Sequence, residues 1–403
     1  MLTRLKSLLI LGLLVALCSN AALAQASLAE FQQLLQQKAA FAAADFATLQ
    51  QDQTIVRLAP VSDKREIAVT GLVNVQAGAD AFLQSYLESM ARKNNAAILE
   101  IGSFTNEPAL ADIQNLTLET QDIEDLKECV VGNCAVKLSA RMIERFRNTI
   151  DWQAPDYQLN ATNLFKQMLV EYVRDYRARG DAALIEYNDK RDEVSLAAEH
   201  RALTAQSSYV NDILSDKEPG LRLIKDAIVW SKIKFGLKPV LAINHITVYQ
   251  RQREVGPQVL VVSKQIYASH YFNAWLALTA FVSVPSSGNY IIYENRSMAD
   301  GLEGPFSKIK RGVVEKKALE GLRNILQHTR TTLDGPASTA TSADFASYPP
   351  DGWRHRLFGG IRPLLWVLML SGLIALLALG RRRPENDQAG RRSKTLKPES
   401  AKS

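Results

Sequence analysis

Side chains able to do chemistry gather in two short stretches, Ser263-Lys-Gln-Ile-Tyr-Ala-Ser-His-Tyr271 and Tyr293-Glu-Asn-Arg-Ser297, with Trp230, Lys232, Lys234, Asn244 and His245 on neighbouring β-rich segments. His270 is the candidate general base, since a neutral imidazole can take a proton at about pH 7. Tyr267 or Glu294 could partner it, so His270 and Glu294 are the catalytic candidates, and a hydrogen-bonded structural histidine is the alternative. Strand alternation puts Ser263, Gln265 and Tyr267 on one face; it also puts Glu294 and Arg296 opposite Tyr293 and Asn295. Lys to Glu pairs on a solvated face account for the charged set. A binding reading makes Trp230, His245, Gln265, Tyr267, Tyr293 and Asn295 polar ligand anchors in an otherwise apolar pocket.

Other chemistry is not signalled. The chain has no Gly-x-Ser-x-Gly, His-Glu-x-x-His, Gly-x-x-x-x-Gly-Lys or Gly-x-Gly-x-x-Gly, so no cofactor is expected. The carboxylates of Asp112–Glu128 would need a fixed separation across a cleft to act as a glycosidase pair, which spacing alone does not give. Cys129-Val-Val-Gly-Asn-Cys134 reads as a small disulfide loop around a Gly132-Asn133 turn. A metal site would need more ligands than these two, and no His lies near them, so none is expected.

The elements that must position these residues follow from periodicity. Leu28–Gln50 carries a weak helical stripe. Glu66–Val75 alternates as a strand and leads into a helix over Ala79–Arg92. Ile98–Lys137 is mixed, and Leu138–Phe146 is helical. Asn160–Arg179 is the clearest helix, with one apolar stripe from Leu164 to Tyr176 and Gly180 as its stop. Ser195–Gln206 and Ser208–Leu214 are shorter helices. Asp226–Phe235, Val240–Gln250, Gln258–Ala268, Tyr271–Val284 and Asn289–Arg296 are successive β segments whose short connections make neighbours antiparallel. A final helix spans Phe306–Leu333, and Gly335–Trp353 reads as a linker.

With 403 residues, 47% apolar and 22% charged, the composition is that of a globular chain and excludes collagen-like and disulfide-stapled classes. The net charge of +6 sits at the ends. Arg4 and Lys6 stand without acids in the first 24 residues. The tail sets Arg381, Arg382, Arg383, Arg391, Arg392, Lys394, Lys397 and Lys402 against Glu385, Asp387 and Glu399. The body is therefore nearly neutral and lacks the basic footprint of a nucleic-acid binder.

Both ends read as membrane-related. Residues 1–24 have the basic start, apolar run and Ala22-Leu23-Ala24 site of a signal peptide. Pro363–Gly380 is uncharged and long enough to span a bilayer, so 361–380 reads as a transmembrane helix with Arg381-Arg382-Arg383 on the cytoplasmic side. Gly359-Gly360, the apolar run and the arginines also look like the C-terminal sorting tags of some exported bacterial proteins, in which the helix is removed. The basic tail, 381–403, can rest on anionic lipid headgroups. The expected layout is a type I single-pass protein of a bacterial inner membrane. It comprises an N-terminal helical segment (25–60), an extracytoplasmic α+β domain (61–334) with a helical insertion at about 98–220, a linker (335–360), the membrane helix and the tail.

Strand, helix, long interruption, antiparallel strands and one long closing helix resemble the START-like (SRPBCC, helix-grip) superfamily. The local likeness is strongest at Glu66-Ile-Ala-Val-Thr-Gly-Leu-Val-Asn-Val-Gln-Ala-Gly-Ala-Asp-Ala-Phe-Leu, with 226–296 and 306–333 resembling the superfamily's end. The resemblance implies a curved antiparallel sheet packed on the long C-terminal helix around an apolar cavity. It also implies a small apolar molecule or lipid as ligand. A docking scaffold built on helices 28–50 and 160–179, and cyclase or hydrolase chemistry in the same cavity, are the competing functions.

Overall fold

The computed structural model describes residues 54–90, 97–207, 220–234, 238–251, 256–284, 287–302 and 307–335, with scattered positions of 29–49. The expected signal peptide, 208–214 helix, membrane helix and basic tail, and most of the expected linker, lie outside the described residues. Among the described residues no helix is long and apolar enough to cross a membrane.

The architecture is α+β. Strands β1 (Thr54–Leu58), β2 (Glu66–Val75), β3 (Ile98–Phe104), β6 (Arg222–Ile233), β7 (Val240–Gln250), β8 (Gly256–Ala268), β9 (Phe272–Val284) and β10 (Gly288–Ala299) form one sheet in the order β1-β2-β10-β9-β8-β7-β6-β3. Every pairing is antiparallel. The Val, Ile and aromatic content of β6 to β10 suits a surface buried on both sides. Strand β3 sits in the sheet beside β6, so the helical insertion begins after Phe104 and returns before Arg222.

Helices cover both faces. On one side lie α1 (Ala79–Ser89) and the long α6 (Ser307–Asp334), packed on Val69, Val73, Ala242, Trp275, Ala277 and Phe281 among others. On the other lie the insertion helices α2 (Thr120–Lys127), α3 (Ala140–Thr149), α4 (Tyr157–Arg179) and α5 (Leu196–Gln206), with a small hairpin of β4 (Glu186–Tyr187) and β5 (Val194–Ser195). Phe31, Leu35, Phe41, Phe46 and Leu49 join this second core, and the Phe31 ring lies 4.8 Å from that of Tyr290. The N-terminal apolar stripe is thus turned inward.

Two glycines set the close approaches. A Cβ on Gly71 would meet Leu326 Cδ1 at 2.5 Å, so its bare backbone is what lets α6 lie on β2. A Cβ on Gly102 would meet the Trp230 indole at 2.5 Å. Helix α6 is further fixed by Arg311, which donates to the Glu66 carbonyl at 2.6 Å, and by Asp334, which accepts from the Gln76 amide at 2.7 Å.

Candidate functional site

The sequence candidates divide between the two faces. Trp230, Tyr267 and His245 belong with the insertion. The indole of Trp230 donates to the Asp112 carbonyl at 2.8 Å, and the Tyr267 hydroxyl donates to the Lys137 carbonyl at 3.0 Å. His245 stands between the Tyr176 hydroxyl (Nδ1, 2.9 Å) and Asp226 (Nε2, 3.0 Å), an arrangement that docks the end of α4 on β6 and β7. Gln265 is buried, its nearest side-chain partner the Tyr187 hydroxyl at 3.5 Å. A β-bulge explains why Ser263 and Tyr267 face opposite ways. Asn244 pairs with Gln265 while Ile243 pairs with Tyr267, so Ile266 is an extra residue that reverses the alternation.

His270 and Glu294 are not brought together. Glu294 faces Leu278 in register, whereas His270 lies in the turn before Phe272. Six residues of β9 separate them, about 20 Å of strand. The His270 Nδ1 donates to the Ala135 carbonyl at 3.1 Å, and its Nε2 stands 3.2 Å from Asp122, an ion-pair distance without hydrogen-bond alignment. Burial pushes the Asp122 carboxyl up, but His270 and Lys238 together more than offset this and hold it below the usual carboxylate range. Glu294 accepts from Arg296 Nε at 2.6 Å and from Ser207 at 2.7 Å. Arg296 also reaches Glu66 at 2.6 Å, whose carboxyl burial raises despite that contact. The charged pairs of β2 and β10 are therefore buried under α5 and the N-terminal segment, where alternation alone would place a solvated face.

Lys137 is a buried charge that pattern reading missed. Its ammonium donates to Asn273 and Asp300, both at 2.9 Å, stands 3.6 Å from Asp189, and sits 4.8 Å from the centre of the Tyr187 ring. The Cys129–Cys134 disulfide loop lies beside it, with the Cys134 amide donating to the Asp189 carbonyl at 2.9 Å. The one signal for it is its place between Val136 and Leu138, both buried.

The opposite face carries unpartnered polar groups that are all uncharged. Tyr293 and Asn295 point towards α1 and α6, as do Ser231, Asn244 and Ser263, which share this face with Val229, Ala242, Ile246, Val261 and Ala277. Both amide atoms of Asn244, the hydroxyls of Ser231, Ser263 and Tyr86, and the Trp275 indole N–H have no hydrogen-bond partner within the described protein. Ser231 is 0% exposed, Asn244 and Ser263 1%. Burial pushes the Tyr86 and Tyr293 hydroxyls well above the ordinary tyrosine range. Asn295 is half-buried and accepts from Ser297 at 2.8 Å.

On the far side of the insertion an open groove of about 950 Å³ runs between α3 and α4. Met142, Met168 and Tyr172 help line it, and the Arg145–Glu171 ion pair (2.5 Å) spans it from α3 to α4. Among the described residues no cluster of His, Cys, Asp or Glu is arranged to hold a metal ion. Compared with protein-family models, curated proteins and solved structures, the chain matches none of them.

Proposed function

We propose that this protein is a membrane-anchored, extracytoplasmic binding protein that takes an apolar small molecule or lipid between the sheet and helices α1 and α6, without catalysis. The observation that carries the proposal is the set of buried, unpartnered polar groups on that face. An unsatisfied buried amide costs about 1–3 kcal/mol, so a group of them calls for a partner that the chain itself does not supply, and a bound polar head is one. The strand order supports a START-like arrangement, because the strand that leads into α1 lies beside the strand that precedes α6. The engagement of His270 and Glu294 in separate structural networks supports binding over turnover. The signal-like and membrane-like ends, with the disulfide, support an inner-membrane protein whose main domain is periplasmic.

Organic extraction of the detergent-free exported body, residues 25–355, followed by mass spectrometry tests this. A stoichiometric apolar compound is the expected result. A body that carries none and takes up no fluorescent fatty acid or alcohol would sink the proposal. The α3–α4 groove favours a second reading, docking of a partner chain on the insertion. Under that reading Arg145→Glu removes a partner in pull-down while extraction yields nothing.

A further inference from the structure

We infer that the ligand's buried end is an uncharged group that both donates and accepts hydrogen bonds, such as a hydroxyl on an apolar body, and that Asn244 and Ser263 read it. This rests on the binding proposal above and narrows it to a ligand class. Asn244 offers one unpartnered donor group and one unpartnered acceptor on the same side chain, and the hydroxyls of Ser263 and Ser231 can act either way. The groups are neighbours across the sheet. Ser263 on β8 is directly opposite Ile246 on β7, two residues from Asn244, and Val229, which faces Asn244, is two residues from Ser231.

Access runs along a lane of short side chains. Half-buried Asn295 on β10 faces Ala277 on β9, and Ala277 faces Ser263 on β8. Only a methyl group stands between the accessible amide and the buried serine. A polar head entering past Asn295 therefore meets hydrogen-bonding groups on both sides of Ala277.

The charge pattern fixes the head as neutral. The described residues of β2 and β6 to β10 turn no buried charged side chain towards α1 and α6. Glu66, Lys232, Glu294 and Arg296 point the other way, into ion pairs under the insertion. Arg222 and Lys225 are charges on this face, both exposed near the start of β6. Lys225, the nearer, lies four residues from Val229, about 13 Å along the strand. An ionised carboxylate or ammonium beside Asn244 would lie unpaired among apolar groups, a far larger penalty than burying a hydroxyl that is bonded on both sides.

The test uses the full chain in detergent, photolabelled separately with hexadecanol and hexadecanoic acid that carry the same diazirine, with adducts mapped to peptides. At about pH 9.5, above the pKa to which a detergent surface raises a fatty-acid carboxyl, the alcohol should label peptides of β7 to β9 about tenfold or more over the acid. Asn244→Leu should bring the two within about twofold. Ser263→Ala is the second variant should Asn244→Leu fail to fold, and it should narrow the preference in the same direction. Equal labelling of those strands by both probes, or a preference that survives these substitutions, overturns the neutral-head inference and leaves the binding proposal standing. Absence of labelling on those strands by either probe overturns both.

Discussion

At the residue scale, the insertion face of the sheet buries its charged groups in ion pairs while the opposite face leaves uncharged groups unpartnered, and this separates residues kept for stability from those that cost it. His200 belongs to the first kind with a pH condition attached. It is buried on α5, and its Nε2 donates to the Gln265 carbonyl at 2.6 Å while Nδ1 has no partner, so the folded state holds a neutral ring. Burial, with Lys264 nearby, lowers its pKa from 6.5 to about 3. Below 6.5 the unfolded chain takes a proton that the folded chain refuses. The contribution is thus full above pH 6.5 and is lost as pH falls towards about 3, at up to about 1.4 kcal/mol per pH unit. Urea melts of the wild type and His200→Gln between pH 7 and 4 should show a shallower acid decline in the variant; parallel declines would mean that another group carries the effect. Asn244 is the opposite case. Replacing its unpartnered amide by leucine should leave ligand-free stability unchanged or raise it by about 1 kcal/mol. A loss of more than about 2 kcal/mol would show that the amide has a structural partner.

At the scale of elements, Gly71 and Lys137 are the hinge points of the two layers. Gly71→Val would force Leu326 and Leu322 off β2 and tilt α6, at a cost of about 1–3 kcal/mol. A matching Leu326→Ala in the same chain should recover part of it, and a thermal melt of the single and double variants checks this. Lys137→Met takes the ammonium from Asp189 and leaves Asp300 with Lys190 alone beside the disulfide loop, and should cost about 3 kcal/mol. The strands and long helices were legible because their periodicity is carried by many residues. The reading of Glu66–Val75 matches the observed strand end to end, β6 to β10 fall within a few residues of their expected bounds, and the Cys129–Cys134 disulfide forms as spacing implied. Strand β3 was hidden because Glu100 and Gly102 interrupt its apolar run. Glu100 lies 3.3 Å from Lys232, and Gly102 makes room for Trp230, so both are explained by contacts with distant parts of the chain. The site was legible only in part for a related reason. Face assignment along β8 depends on a single bulge at Ile266, and no local pattern announces an inserted residue in a run such as Val-Val-Ser-Lys-Gln-Ile-Tyr.

At the scale of the whole molecule, the insertion is not an appendage. Leu241, Ile243, Leu260, Val262, Leu276 and Leu278 of the sheet share one continuous core with Ile123, Phe146, Phe165, Leu169 and Leu203 of the insertion. Lys137, Tyr172 and His200 each bond to the sheet from the insertion, the Tyr172 hydroxyl reaching the Ile266 carbonyl at 2.6 Å. The same sheet supplies the other core, against α1 and α6, so disturbing one layer removes support from both. Sheet and insertion should therefore melt together. Calorimetry of residues 25–355 should give a single transition whose calorimetric and van't Hoff enthalpies agree, and Lys137→Met should move that transition without splitting it. Two resolved transitions in the wild type would mean that the insertion folds as its own unit. In that event β3 and β6, held in register from Ile98–Ile233 to Phe104–Ile228, would have to survive as a hairpin edge with its insertion-facing side stripped to water. An edge bearing Phe104, Ile228 and Trp230 in the open would be expected to aggregate, so the second transition would come with loss of solubility.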